Sequence, residues 1–338
     1  MKERKTMKIT FLIGNGFDIS CGMKSSYKDV CNVYKHTYSD NKVLQNFKDE
    51  ISDWGDFEME LAAHAKDFNT EEELIMCLRD FKKCLVKHLE GEQKRFHERL
   101  ASSQENFKGY LEECASSMVR FYQYNTNKVT RDIDEKIKMD PPEFRFISFN
   151  YTSTFDYLLM FVKNNNWIQE VSRFPVRIDE NPIHVHGTIE NDVTLGIDNE
   201  LQLSNTKYKV TDDGKRAIIK PVFNSEFDPE RTENALDSIR QSDIICTYGM
   251  TLGKSDLTWR NSIISWLNDS DEHIFFCYDY DYAQMDVVLT DEKMEIENRA
   301  IKDLMTKWDE DYEGTISCSI MKQIHIPIGN NIFRFKRN

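Results

Sequence analysis

The stretch Met7 to Cys21, MKITFLIGNGFDISC, constrains the fold more than any other part of the chain. Ile9, Phe11, Leu12 and Ile13 form an apolar, β-prone run of the kind buried on both faces of a parallel sheet. Gly14 and Gly16 follow, then Asp18 and the start of a predicted helix. Without a Cβ at either glycine, a ligand's phosphate or sugar can approach the backbone, and N–H groups at the helix mouth offer partial positive charge to an anion. This describes a nucleotide-binding turn. The full dinucleotide fingerprint needs a third glycine where Ile19 stands, so the motif also fits a plain structural turn. Its weight depends on the segments it meets.

Length and charge narrow the classes. With 338 residues, 40% of them apolar, the chain can bury a full core, as one large domain or as a domain carrying a big insertion. A net charge of -14 argues against nucleic acid or an anionic membrane as a broad partner, because phosphate binding needs a basic surface. Eight cysteines without any CxxC pair read as free thiols of a reducing cytosol rather than zinc ligands or a disulfide frame, so no metal is implied. MKERKTMKIT runs straight into the first strand with no apolar h-region, and no stretch approaches the roughly 18 to 20 apolar residues of a membrane span. The expectation is a cytoplasmic protein with no membrane partner.

From Lys42 to about Lys138 the sequence is almost free of proline and glycine and shows helical-period apolar sets such as Leu74, Leu78, Phe81 and Leu85. The expected organisation is a doubly wound α/β core on a mostly parallel sheet, over residues 1–41 and 140–338. A helical insertion over 42–139 interrupts it and could form a lid over the glycine turn. Within the insertion, Trp54-Gly55-Asp56-Phe57-Glu58 reads either as capping and core anchoring or as an acid facing a pocket. Further strands are expected at Phe144–Phe149, at Pro182–Gly187 with both histidines on one face, and at Asp192–Asp198. Two more are expected at Ser242–Tyr248 and His273–Tyr278.

Four strand ends are then candidates to converge: GNGFD, FNYT, HVHG and GMTLGKSD. In an open parallel sheet ligands lie beyond the carboxyl ends of the strands. Each segment alone has a structural reading, Asn150 as a turn former and His186 as a satisfied turn residue. Together they fit an adenine dinucleotide. The glycine turn would take the pyrophosphate, the Thr251 and Ser255 hydroxyls ribose or phosphate, and Asn150 with His186 the reacting sugar.

In the same order along the chain, GNGFD, WGDFE, FNYT, HVHG and GMTLGKSD resemble the AbiH family of bacterial phage abortive-infection proteins. More remotely they are similar to the sirtuin-like NAD-binding fold of Rossmann type, where a GAGxS turn, an asparagine after a strand, an HG pair and a GTSL turn surround NAD. The resemblance implies nucleotide contacts from Gly14, Asn15, Gly16 and Phe17, from Tyr151, Thr152 and His184, and from Gly249, Thr251, Leu252, Ser255 and Asp256. Met250 departs from the GTSL pattern.

The same resemblance implies that Asn150 positions water or ribose and that His186 acts as base. Asp18, standing where the sirtuin-like turn has a serine, would orient ribose hydroxyls or stabilise positive charge on the anomeric carbon. His184 is either an orienting partner or a hydrogen-bonded core residue. The activity implied is hydrolysis of NAD at the nicotinamide–ribose bond, with NAD as substrate or ligand and no further cofactor. Such an effector has to be restrained in healthy cells, which implies an assembly or lid switch, and the partners expected are a homo-oligomer or a phage-derived trigger. The zinc-binding cysteines of deacetylating sirtuins are absent, which argues against protein deacetylation. Two other classes stay open: a nucleotide-sensing module without catalysis, and a nuclease-type toxin using Asp18, Asp56 and Glu58 as metal carboxylates.

Overall fold

The computed structural model describes residues 6–37, 57–123, 127–178, 181–204, 207–310, 312 and 314–335. Its strands are β1 (Met7–Ile13), β2 (Pro142–Ser148), β3 (Arg177–Ile178), β4 (Ile183–His184), β5 (Ile244–Tyr248), β6 (Ile274–Tyr278) and β7 (Ile324–His325). They pair in the order β3-β2-β1-β5-β6-β7, with β4 beside the end of β2, and all these pairings are parallel. This is the doubly wound α/β sheet expected from the sequence. The chain winds outward from β1 through β2 and then returns to β5 on the other side. Its direction therefore reverses between β1 and β5, where a crevice opens at the carboxyl ends.

Register decides what lines that crevice. Ile13 is level with Ser148 on one side and Tyr248 on the other, and Tyr248 is level with Tyr278. The segments that follow β1, β2, β5 and β6 consequently emerge along one edge. Asn150 stands beside the glycine turn because its strand is the direct neighbour of β1.

Helices cover both faces. Between β1 and β2 run α1 (Gly16–Ser20), α2 (Tyr27–Thr37), α3 (Phe57–Ala63), α4 (Glu71–Ala101), α5 (Gln104–Arg120) and α6 (Asn127–Met139). Then come α7 (Thr154–Asn164) and α8 (Trp167–Val171) after β2, and α9 (Asp212–Ile218), α10 (Lys220–Phe227) and α11 (Pro229–Arg240) before β5. The last are α12 (Leu257–Asp269), α13 (Tyr280–Ala283) and α14 (Thr290–Asp309). Alternation along β1 feeds two cores. Ile9, Phe11 and Ile13 pack with α5 and α7, while Leu12 packs with Ile245 and α12 on the opposite face.

The 31-residue α4 follows from its ends as well as its stripe. Thr70 accepts from the Glu73 amide, three acids occupy the first turn, and Ser103 restarts the chain as the N-cap of α5. Leu74, Leu78, Phe81 and Leu85 of α4 form a separate cluster with Val30 and Phe57, whereas Phe96 and Leu100 join the sheet core. With the buried Leu85 and Leu89 lining the crevice, α4 is one of its walls.

Two strand expectations fail. Asp192–Asp198 forms no strand, only a single bridge from Ile197 to Ile219. Its apolar residues Val193, Leu195 and Ile197 are buried against the α4 cluster rather than on the sheet, so the apolar spacing is real but its partner is helical. The second is the histidine segment, where β4 stops at His184 and Gly187, at φ +71°, closes a turn back to the His184 carbonyl. His184 and His186 therefore reach different partners and do not share a strand face. Among the described residues, no helix is long and apolar enough to cross a membrane. All eight cysteines are free thiols, seven of them buried.

Candidate functional site

A cavity of about 720 Å³ occupies the crevice, within the size range of small-molecule sites. Each of the four segments supplies part of its lining. Gly14, Asn15, Gly16 and Asp18 come from the first turn, Asn150 and Tyr151 from the end of β2, and His186 from the turn after β4. Gly249, Thr251, Ser255 and Asp256 come from the loop after β5. Phe17, Thr152, His184 and Leu252 do not line it. Phe17 is fully buried and packs edge-on against Phe155 and Phe333, and Leu252 joins the core under α12.

The glycine turn abuts the loop after β5. Gly14 N donates to the Tyr248 carbonyl and Gly16 N to the Gly249 carbonyl, both at 2.8 Å, and Phe17 N donates to Gly14 O at 2.9 Å. These amides are engaged within the fold, so they are not available to cradle a phosphate. A Cβ on Gly14 would stand 2.5 Å from Gly249 O, and one on Gly16 would stand 2.4 Å from Gly249 Cα. Gly249 itself sits at φ +71° against Gly16. The glycines let two loops abut. Gly16→Ala is accordingly expected to destabilise the fold by about 3 kcal/mol through overpacking, as urea unfolding would measure.

Asp18 anchors one group of polar side chains. It is 1% exposed and accepts from Thr152 Oγ1 at 2.6 Å and from Asn150 Nδ2 at 3.3 Å. Burial pushes its carboxyl up to about 7, against the opposing pull of Thr152 and the cationic His184. Holding the Asn150 amide by its nitrogen leaves Asn150 Oδ1 buried and without a hydrogen-bond partner among the described residues. His184 lies behind this group. Its Nδ1 faces the Asn150 carbonyl and its Nε2 the Asp156 carboxylate, each at 3.0 Å. Both neighbours are acceptors, so the ring donates from both nitrogens as an imidazolium. Burial opposes that charge, and Asp156 outweighs burial, raising the ring above its ordinary range.

A second group holds His186. Its Nε2 lies 3.2 Å from Asp256 Oδ1, and the ring stands edge-on to Phe149. Nδ1 is buried with no hydrogen-bond partner among the described residues. Lys220 Nζ lies 3.2 Å from the same Asp256 oxygen and 3.8 Å from Glu58 Oε1. The Glu58 oxygen accepts from Tyr27 Oη at 3.1 Å, and the Tyr27 and Tyr151 hydroxyls are 3.3 Å apart. Burial and the nearby Glu58 push both phenols well above their usual range, so they stay neutral. Burial alone would raise Asp256, but the Lys220 ammonium and His186 hold its carboxyl well below the usual carboxylate range. Burial likewise works against the Lys220 charge, and Asp256, Glu58 and Asp198 outweigh it.

Of the WGDFE segment, Trp54, Gly55 and Asp56 lie outside the described residues. Both readings of its remainder hold at once, Phe57 stacking on Phe81 in the core and Glu58 facing the cavity. Asp18 and Glu58 are held by different partners, and among the described residues no three His, Cys, Asp or Glu side chains gather as a metal site.

The sequence profile described as bacteriophage abortive infection AbiH matches residues 10–278. The chain belongs to the AbiH family. No curated protein matches it. The AbiH match ends at Tyr278, the last residue of β6, yet the cavity wall continues through Asp279, Tyr280, Gln284 and Asn331 to Phe335. This terminal segment crosses back over α5, where Phe333 N donates to Ser117 Oγ at 2.6 Å and Arg334 N to Glu113 Oε1 at 2.9 Å. Sequence reasoning missed that wall, and it missed Lys220. Ile219-Lys220-Pro221 belongs to no motif, and nothing local distinguishes a buried lysine from a surface one.

Proposed function

We propose that this abortive-infection family member binds NAD in the cavity and hydrolyses its nicotinamide–ribose bond. The observation that carries the reading is a pair of buried acceptors, Asn150 Oδ1 and His186 Nδ1, without partners among the described residues and carried by two residues that line one cavity. Groups that only accept are complementary to a guest that donates, such as a ribose hydroxyl or an attacking water. The sirtuin-like resemblance of the same segments points the same way.

Cleavage of this bond develops oxocarbenium character on the sugar as nicotinamide leaves with the bonding electrons. Asn150 Oδ1 accepts a hydrogen bond from the ribose or the water. His186, neutral with Nε2–H on Asp256, takes the water's proton at Nδ1, giving nicotinamide and ADP-ribose. Asp18 touches Asn150 and Thr152 and acts through the Asn150 amide. The test is purified protein with NAD, followed by chromatography and thermal melting. The expected result is nicotinamide release, with stabilisation of about 2.7 kcal/mol by a non-cleavable NAD analogue at 100 times its Kd. Stabilisation without release would keep binding and remove cleavage; neither effect would overturn the proposal.

A further inference from the structure

Lys220 has no step in that scheme, yet it is an enclosed charge beside it. It is 3% exposed, opens α10, and its amide is tied to the Ile197 carbonyl at 2.8 Å. Its ammonium and the His186 imidazole meet one carboxylate oxygen, each at 3.2 Å. We propose that Lys220 is a positioning residue for His186: by sharing Asp256 Oδ1 it fixes that carboxylate and keeps the imidazole neutral, with Nδ1 left as an acceptor. The inference rests on reading His186 as the base.

A carboxylate paired only with a histidine favours the imidazolium. An imidazolium at rest has no lone pair with which to accept a proton, so a base held that way is blocked until it is deprotonated. Lys220 changes this balance, because a second cation on an oxygen already facing an ammonium meets like-charge repulsion. The charges around the ring act with it. Arg231 of α11 adds another cation at longer range, while Glu58 of α3 and Asp198 hold Lys220 in its charged form. Phe149 and Tyr151, the rings packed on His186, carry no charge. Burial of the imidazole favours the neutral form as well.

The test is an NMR titration of protein labelled at histidine Cε1, with His186→Gln identifying the resonance. In the wild-type chain His186 is expected to reach half-protonation below the ordinary imidazole value of about 6.5. Lys220→Met should raise that midpoint by about one pH unit. Should Lys220→Met fail to fold, Lys220→Met with Glu58→Gln removes one charge of each sign and should show a smaller rise in the same direction. A wild-type midpoint at or above 6.5, or one unmoved in the variant that folds, overturns the proposal. The readout needs no substrate. A shifted midpoint in a chain that leaves NAD intact would retain the charge arrangement and remove the cleavage reading.

Discussion

His186→Ala is expected to lower nicotinamide release by roughly 10²- to 10⁴-fold, the range for losing a general base. The variant should still fold. Asp256 keeps Lys220 as its partner, and among the described residues the ring also meets Phe149 edge-on and Tyr151 at a tilt. Nδ1 has no partner among the described residues, so its removal takes away an interaction made when the proton moves. The loss should therefore fall in kcat, with KM little changed. Asn150→Ala should cost a similar order for a different reason. It deletes the Oδ1 acceptor and also strips Asp18 of one of its two side-chain donors among the described residues. Steady-state rates for both variants, with thermal melts to establish folding, separate the cases. Unchanged kcat in His186→Ala would remove the imidazole from the chemistry.

The parts of this site that the sequence revealed are those carried by backbone periodicity. The run Ile9 to Ile13 can be read as a central strand because its apolar residues serve two cores, and the register then places Asn150 beside Gly14. The purpose of the glycines was not legible. GxG looks the same whether it makes room for a phosphate or for a second loop, and the neighbour, Gly249, lies more than two hundred residues away in the chain. Alternation misled at His184 and His186, where a turn at Gly187 ends the strand between them. Lys220 and the terminal wall share one cause. Their roles exist only in three dimensions, where Asp256, Glu58 and His186 are brought around one ammonium and where the chain after β7 doubles back over α5.

Asp18→Asn should stabilise the protein increasingly as pH rises. In the unfolded chain this carboxyl ionises near 3.8, whereas in the fold burial raises it to about 7. Between those values the folded state keeps a proton that the unfolded chain has lost, so stability falls as pH rises; the cost is absent below the window and complete above it. Roughly three pH units correspond to a cost on the order of 4 kcal/mol, of which about 3 kcal/mol develops between pH 5 and pH 8. Asparagine has the same shape and no charge to desolvate. His186, lowered by burial and Lys220, contributes the opposite slope near its own midpoint, and His184, raised by Asp156, adds to the fall above about 6.5. Both histidines are common to the two proteins, and His184, which the Asp18 charge helps to raise, is lowered in the variant, a change that enlarges the difference in the same direction. Urea unfolding at pH 5, 6 and 8 should show that difference growing with pH; a constant difference would mean that Asp18 ionises in the fold as it does in the free chain.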